Sequence, residues 1–184
     1  MNIESCRFET ERLLVNEWRS LSSSDWREQD LADVVISMLT ENVTHDLPGP
    51  WRGSYTVERG RQWVNERDEE GTTLLAIEKS TRQAVGLMIL SEVQDTERVN
   101  HTDMRLGYLL SEDHWGKGLA SEMVTGFIDW CRHQTSILSI SGGVATDNIA
   151  SIRVLQKNGF MIVEPDGKAD GDEMLYRLRL RDQD

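Results

Sequence analysis

"GYLLSEDHWGKGLASEM" occupies residues 107–123. It opens as the end of an apolar strand, passes through a polar turn, and continues as an amphipathic helix. Gly116 and Gly118 flank Lys117 at the mouth of that helix. Glycine leaves the backbone bare for a group that approaches closely. The first N–H groups of a helix have no partner within it, so an anion is their natural guest. The amides of residues 116–121, the ammonium of Lys117 and the hydroxyl of Ser121 together make a short anion cradle. A plain turn with a glycine start to the helix accounts for the same string. The triphosphatase loop is excluded, because Gly-x-x-x-x-Gly-Lys-Ser/Thr is absent, and the dinucleotide fingerprint lacks its third glycine.

C-terminal to this stretch the helix carries Leu119, Met123, Phe127 and Trp130 or Cys131 as its buried stripe. "ILSISGGVA" (137–145) reads as a mostly apolar, buried strand. "NIASIRVLQKNGF" (148–160) is a short helix that Asn148 caps and Gly159 stops. Two closing strands, "FMIVEP" (160–165) and "EMLYRLRLR" (173–181), flank the polar loop "DGKADGD". N-terminally, "HTDMRLGYLL" (101–110), "AVGLMILSEV" (84–93) and "TTLLAIEK" (72–79) read as strands, with "STRQ" and "QDTERVN" as their turns. Before them, "TVERGRQWVNERDEEG" (56–71) is a helix capped by Thr56 and ended at Gly71. Residues 41–54 carry two prolines and two glycines and read as a loop. "SSSDWREQDLADVVISMLT" (22–40) is a helix with Ser and Asp at its start, and "ERLLVNEW" (11–18) is the first strand. A strand meander followed by strand–helix alternation predicts one α/β (mixed α+β) domain over residues 1–184, a mixed sheet with helices on both faces.

The net charge of −12 argues against a general nucleic-acid surface, which needs clustered Lys and Arg, and suits attraction of cationic partners. No apolar run approaches the length of a membrane-spanning helix, and the first residues lack an apolar signal core. Cys6 and Cys131 make neither a metal spacing nor a disulfide framework, which fits a reducing cytoplasm. His114 and His133 show no ligand spacing, so no metal is expected.

Together, "GYLLSEDHWGKGLASEM" and "TDNIASIRVLQKNGF" (146–160) resemble the GNAT superfamily of acyl-CoA-dependent N-acetyltransferases. "ETERLLVNEW" (9–18) and "NVTHDLPGPW" (42–51) resemble its ribosomal-protein-alanine N-acetyltransferase branch, the RimJ/RimL type. The resemblance covers about residues 9–180. Trp115 stands where the superfamily's general loop has Gln or Arg, a variant familiar in this branch. The resemblance implies a seven-stranded, mostly antiparallel sheet splayed into a V. It implies acetyl-CoA as cosubstrate, with its diphosphate on Trp115, Gly116, Lys117, Gly118, Leu119, Ala120 and Ser121. The strand "LGYLL" is expected to carry a bulge and part from "ILSISGGVA", exposing backbone groups to the pantetheine arm. Amides near Leu109 and Leu110 then stabilise the thioester oxyanion, and Asn148 contacts the pantetheine.

The implied chemistry is direct attack of a neutral amine on the acetyl thioester. Many relatives place a tyrosine acid seven residues after the Asn, where this chain has Leu155. A thiol with a reference pKa of about 8.5 leaves without a strong acid; Ser151 is a candidate donor. Many relatives carry a base Glu in the fourth strand, where this chain has Met104. Alternation puts His101, Asp103 and Arg105 on one face, so Asp103 and His101 are candidate bases, with a merely exposed strand face as the alternative. His45 and Asp46 lie in the loop expected on the acceptor side. Trp51 is expected to floor that pocket, and Trp63 to pack in the core. The acceptor implied is a primary amine, on a protein N-terminus or a small cationic molecule. A non-catalytic acyl-CoA sensor is the rival reading, motivated by the absent Tyr and Glu. Open strand edges are compatible with a homodimer.

Overall fold

The computed structural model describes residues 6–21, 30–94, 102–163 and 173–181. Among the described residues, eight strands form one sheet, in the order β1-β2-β3-β4-β5-β6-β8-β7. They are β1 (Arg7–Glu9), β2 (Leu13–Glu17), β3 (Thr72–Glu78), β4 (Gln83–Gln94), β5 (Thr102–Leu110), β6 (Ile137–Ala145), β7 (Met161–Ile162) and β8 (Glu173–Arg179). Every neighbouring pair is antiparallel except β5 and β6, which are parallel. The helices are α1 (Leu31–Met38), α2 (Glu41–Thr44), α3 (Val57–Glu70), α4 (Leu119–Arg132) and α5 (Ile149–Lys157).

The expected seven strands become eight because β1 precedes the first predicted strand. It is a three-residue piece, too short to show periodicity, and it turns into β2 through Thr10, whose N–H donates to the Leu13 carbonyl at 2.9 Å. The predicted start of the first helix falls on residues 22–29, outside the described residues; within them, the Asp30 carboxylate accepts from the Ala32 N–H and caps α1. The 41–54 loop contains α2, capped by Thr40, and a 3-10 turn at Gly49–Trp51. Thr56 and Gly71 bound α3 as the sequence predicts.

Side chains of β5 alternate between two cores, because successive Cβ atoms of a strand point to opposite faces. Met104, Leu106 and Leu110 pack with Leu119, Met123 and Phe127 of α4 and with Leu155 of α5. Leu109 goes to the opposite face, with Leu75, Leu87, Val35 of α1 and Trp63 of α3. Each large apolar side chain buried this way contributes about 1.5–3 kcal/mol. β5 is thereby clamped between two layers, and its edge can open without the strand moving.

That edge does open. The parallel pairing of β5 and β6 runs only to Arg105↔Ser141, although β5 continues to Leu110 and β6 to Ala145. The expected bulge in residues 106–110 is absent: the ladder from Gly86↔Leu110 to Gln94↔Thr102 is unbroken, and the register shifts lie elsewhere, opposite Ala76 and Ile77 at Val85 of β4, and between Thr102 and Asp103 at Leu138 of β6. The V forms because each strand keeps its outer partner, β4 for β5 and β8 for β6. Gly142 stands where they part; a Cβ there would lie 3.0 Å from the Leu106 carbonyl oxygen.

Candidate functional site

Two cavities meet at the opening of the V. One, of about 610 Å³, lies over the glycine turn and the start of α4. The other, of about 580 Å³, lies on the face of the sheet that carries Arg105 and Gly143. Tyr108, Leu109, Asn148 and Ser151 line both. A long ligand in the first cavity therefore presents its end to a second molecule in the other.

The turn is built for backbone access. Gly116 and Gly118 have φ of 71° and 77°, in the left-handed region, where an L side chain costs roughly 1–2 kcal/mol. Gly118 is the N-cap of α4 and brings no side-chain cap, so a ligand or water must serve the first amides. Two contacts set the turn's position. The Trp115 indole N–H donates to the Leu110 carbonyl at 2.9 Å, tying the turn to the end of β5. The Arg12 guanidinium donates to the Lys117 carbonyl at 2.9 Å and, through Nε, to Glu122 at 2.6 Å.

Charge reaches this cavity from another helix than the sequence suggests. Gly116, Gly118, Leu119, Ala120 and Ser121 line it, but Lys117 does not. The lining cations are Arg153 and Lys157 of α5. The Asn158 amide donates to the Ser121 hydroxyl at 3.2 Å, holding the end of α5 beside the start of α4.

At the junction, the Asn148 side chain accepts from the Ser151 N–H at 2.9 Å, so it caps α5 and walls both cavities at once. The Tyr108 hydroxyl donates to the Ser151 carbonyl at 3.3 Å. Burial pushes the Tyr108 phenol up to about 12, with that hydrogen bond opposing.

A family model for the acetyltransferase (GNAT) domain matches residues 24–161. The chain belongs to the GNAT acetyltransferase family. A probable N-acetyltransferase of Bacillus subtilis, YjcK, is 30% identical over 114 residues, which are 58% of this chain and 60% of YjcK. The chain thus matches about three fifths of that relative's length. The fold is shared with a GNAT-family acetyltransferase from Bacillus anthracis, with a TM-score of 0.73 and 19% identity over 95% of this chain and 99% of the other. RimL, a ribosomal L7/L12 alpha-N-protein acetyltransferase solved in complex with coenzyme A, superposes with a TM-score of 0.67 and 16% identity, over 92% and 95% of the two chains.

Against this GNAT frame the acceptor-side residues fall into place unevenly. Asp46 lines both cavities, after the short helix α2, whose start is tied to Glu112 by the Thr40 hydroxyl and by the Asn42 amide at 3.0 Å. His45 pairs with Asp46 at 2.7 Å but lines neither cavity. Trp51 lines the second cavity, edge-on to buried Trp63 at 5.6 Å, with the Arg67 guanidinium 4.3 Å from its ring centre. Asp103 lines neither cavity; its carboxylate accepts from the Ser139 hydroxyl at 2.5 Å, in a shallow hollow with Arg177 and Arg179. The row it occupies lies below the point where the strands part, which removes it from the junction. His101 lies outside the described residues.

Four residues of this GNAT site escape the sequence reading: Tyr108, Arg153, Lys157 and Glu173. Arg153 and Lys157 are four apart on one helical face, and that spacing is the signal that could have found them. Among the described residues, no group of three His, Cys, Asp or Glu could hold a metal ion, and no helix is long and apolar enough to cross a membrane.

Proposed function

We propose that this chain is a cytoplasmic N-acetyltransferase that moves an acetyl group from acetyl-CoA directly to a primary amine. The observation that carries the reading is the meeting of two cavities through the break between β5 and β6, one of them ending on an uncapped glycine turn. The family membership fixes the class of chemistry to which this geometry is matched.

In this reading the diphosphate sits on the amides of residues 116–121, and Arg153 and Lys157 offset its charge. The pantetheine arm follows the unpaired edge of β5, as an added strand would. Backbone donors near Leu109 and Leu110 face the thioester carbonyl and stabilise the oxyanion. The amine arrives through the second cavity, past Trp51 and Asp46. Its nitrogen attacks the carbonyl carbon, and the C–S bond breaks. The proton lost by the amine passes to a carboxylate on that side, Asp46 or Glu173, directly or through water. The Tyr108 hydroxyl, kept protonated by burial, gives the sulfur its proton as the C–S bond breaks, and the proton taken from the amine returns to it through water; Leu155 is unsuited to that role. The Ser151 hydroxyl is the neighbouring donor. Acceptors that fit a cleft this open include a protein N-terminal amine, the substrate type of the RimL neighbour.

Calorimetric titration with acetyl-CoA tests the first half of the reading, with dephosphorylated and desulfo fragments as controls. Micromolar binding that requires the diphosphate supports it; absence of binding at millimolar cofactor ends it. Amine-dependent release of thiol then separates transfer from mere sensing.

A further inference from the structure

The floor of the amine-side cavity carries positive charge that an amine acceptor alone has no use for. Arg105 pairs with Ser141, and Ser141 pairs with Arg177, so the three form one row across β5, β6 and β8 with their side chains on the same face. Arg105 lines the cavity. Among the described residues neither guanidinium has a hydrogen-bonded or ion-paired partner, and the Arg177 Nε is buried without one. Arg177 and Arg179 line a neighbouring hollow beside this cavity, and Arg105 is the one of the row that lines the cavity itself. Arg181 donates to the carbonyls of Arg132, Gln134 and Ile137. Asp103 accepts from Ser139 one row further from the junction, in the hollow that Arg177 and Arg179 also line. This positive row belongs to a chain whose net charge is −12.

The carboxylates lie at the opposite end. Glu173 pairs with Ala145, near the tip of β6, and its Oε2 lies 3.4 Å from where a Gly143 side chain would begin. Asp46 reaches the junction from the α2 side. The cavity is therefore negative where the amine must enter the junction and positive at its far floor. Arg105 is four residues from Leu109, about 13 Å along a strand.

Resting on the acetyl-transfer reading above, we propose that the acceptor carries a carboxylate as well as its amine, and that Arg105, with Arg177 beside it, binds that carboxylate. Asp46 and Glu173 meet the ammonium end, and the spacing between the charges sets which acceptors lie correctly. An acidic side chain near a peptide N-terminus and the carboxylate of a free amino acid share this chemistry. The strand distance favours the peptide.

The test compares acceptors that differ only in charge. Tripeptide amides with alanine first and aspartate second or third are set against their asparagine counterparts, and free alanine against alaninamide, with thiol release as readout. A charge-assisted contact gives the carboxylate acceptors at least about a tenfold advantage in kcat/KM. That advantage should collapse in Arg105→Gln, shrink in Arg177→Gln and return in part with Arg105→Lys. Unchanged acetyl-CoA affinity shows that each variant is folded. Equal rates for charged and amide acceptors, or an advantage that survives Arg105→Gln, overturn the inference. Absence of thiol release with every amine instead overturns the acetyl-transfer reading. In that case calorimetry of the same peptides on the CoA-loaded protein still decides the inference, and equal affinities sink it.

Discussion

The Tyr108 hydroxyl reaches across the opening of the sheet and donates to the Ser151 carbonyl at 3.3 Å. It joins β5 to the first turn of α5 where no strand pairing does so. The contact has a structural and a chemical consequence. Tyr108→Phe removes one partly buried hydrogen bond, which costs about 1 kcal/mol. On the mechanism proposed above it also removes the proton donor for the departing sulfur, so kcat should fall about a hundredfold, the usual scale for a general acid. Steady-state kinetics check this: KM for acetyl-CoA should stay nearly constant while kcat drops. Ser151→Ala should cost far less. An unchanged kcat in Tyr108→Phe would remove the tyrosine from the reaction.

The contrast between Tyr108 and Gly118 shows what a sequence can and cannot say here. Gly116 and Gly118 are legible as the turn that opens α4, because glycines before an amphipathic helix mark its start. Helix ends at Asn148, Thr56 and Gly71 were legible for the same reason: caps are local chemistry. Tyr108 is hidden in an ordinary strand pattern, and its meaning depends on α5, 43 positions later in the chain at Ser151. Lys117 lies within the motif but does not line the cavity, whereas the cations that do come from α5 by tertiary packing, which no local pattern records. Asp103 was chosen by alternation, which gives a residue's face but not its height relative to the parting of β5 and β6. The height is set by where β5 and β6 part, and no local pattern records that.

Gly118→Glu should abolish acetyl-CoA binding within the range calorimetry can reach. Space is not the obstacle, since a Cβ at Gly118 would come no closer than 3.7 Å to the Arg12 guanidinium. Two effects combine: the left-handed φ of 77°, and a carboxylate at the site proposed for the diphosphate. Gly118→Ala separates them. It should carry only the backbone strain, roughly 1–2 kcal/mol of stability, and a correspondingly smaller loss of affinity. Undiminished binding by the glutamate variant would leave the turn with a purely structural role.

Arg153 and Lys157 should control the electrostatic part of cofactor binding. Both are exposed and lie on one side of α5, facing the cavity. The double change Arg153→Ala and Lys157→Ala should weaken acetyl-CoA binding about tenfold and flatten its dependence on salt, because screening acts on what these charges supply. Melting temperature without cofactor should hardly move, since neither side chain is buried. Affinity measured at low and high ionic strength decides it. Equal salt slopes in both proteins would assign the phosphate charge to other residues.

Glu122 gives the fold a pH dependence with a defined sign. Burial alone raises its carboxyl, but the hydrogen bonds from the Thr10 hydroxyl and the Arg12 backbone and guanidinium outweigh it and hold the group below the ordinary carboxylate range. Those donors contact it at 2.6 to 2.8 Å. A carboxyl whose native pKa is depressed stabilises the fold at pH above its unfolded pKa, and that stabilisation is lost as pH falls through the native value. Glu122→Gln should therefore be less stable than the parent at neutral pH, and the gap should close on acidification below about pH 4, where the parent carboxyl also takes up its proton. Thermal melts of both proteins from neutral to acid pH measure it. The same clamp positions the Lys117 carbonyl through Arg12, so the variant should also bind acetyl-CoA more weakly at neutral pH. A stability gap that persists unchanged into acid would show that the glutamate acts through packing alone, not through its charge.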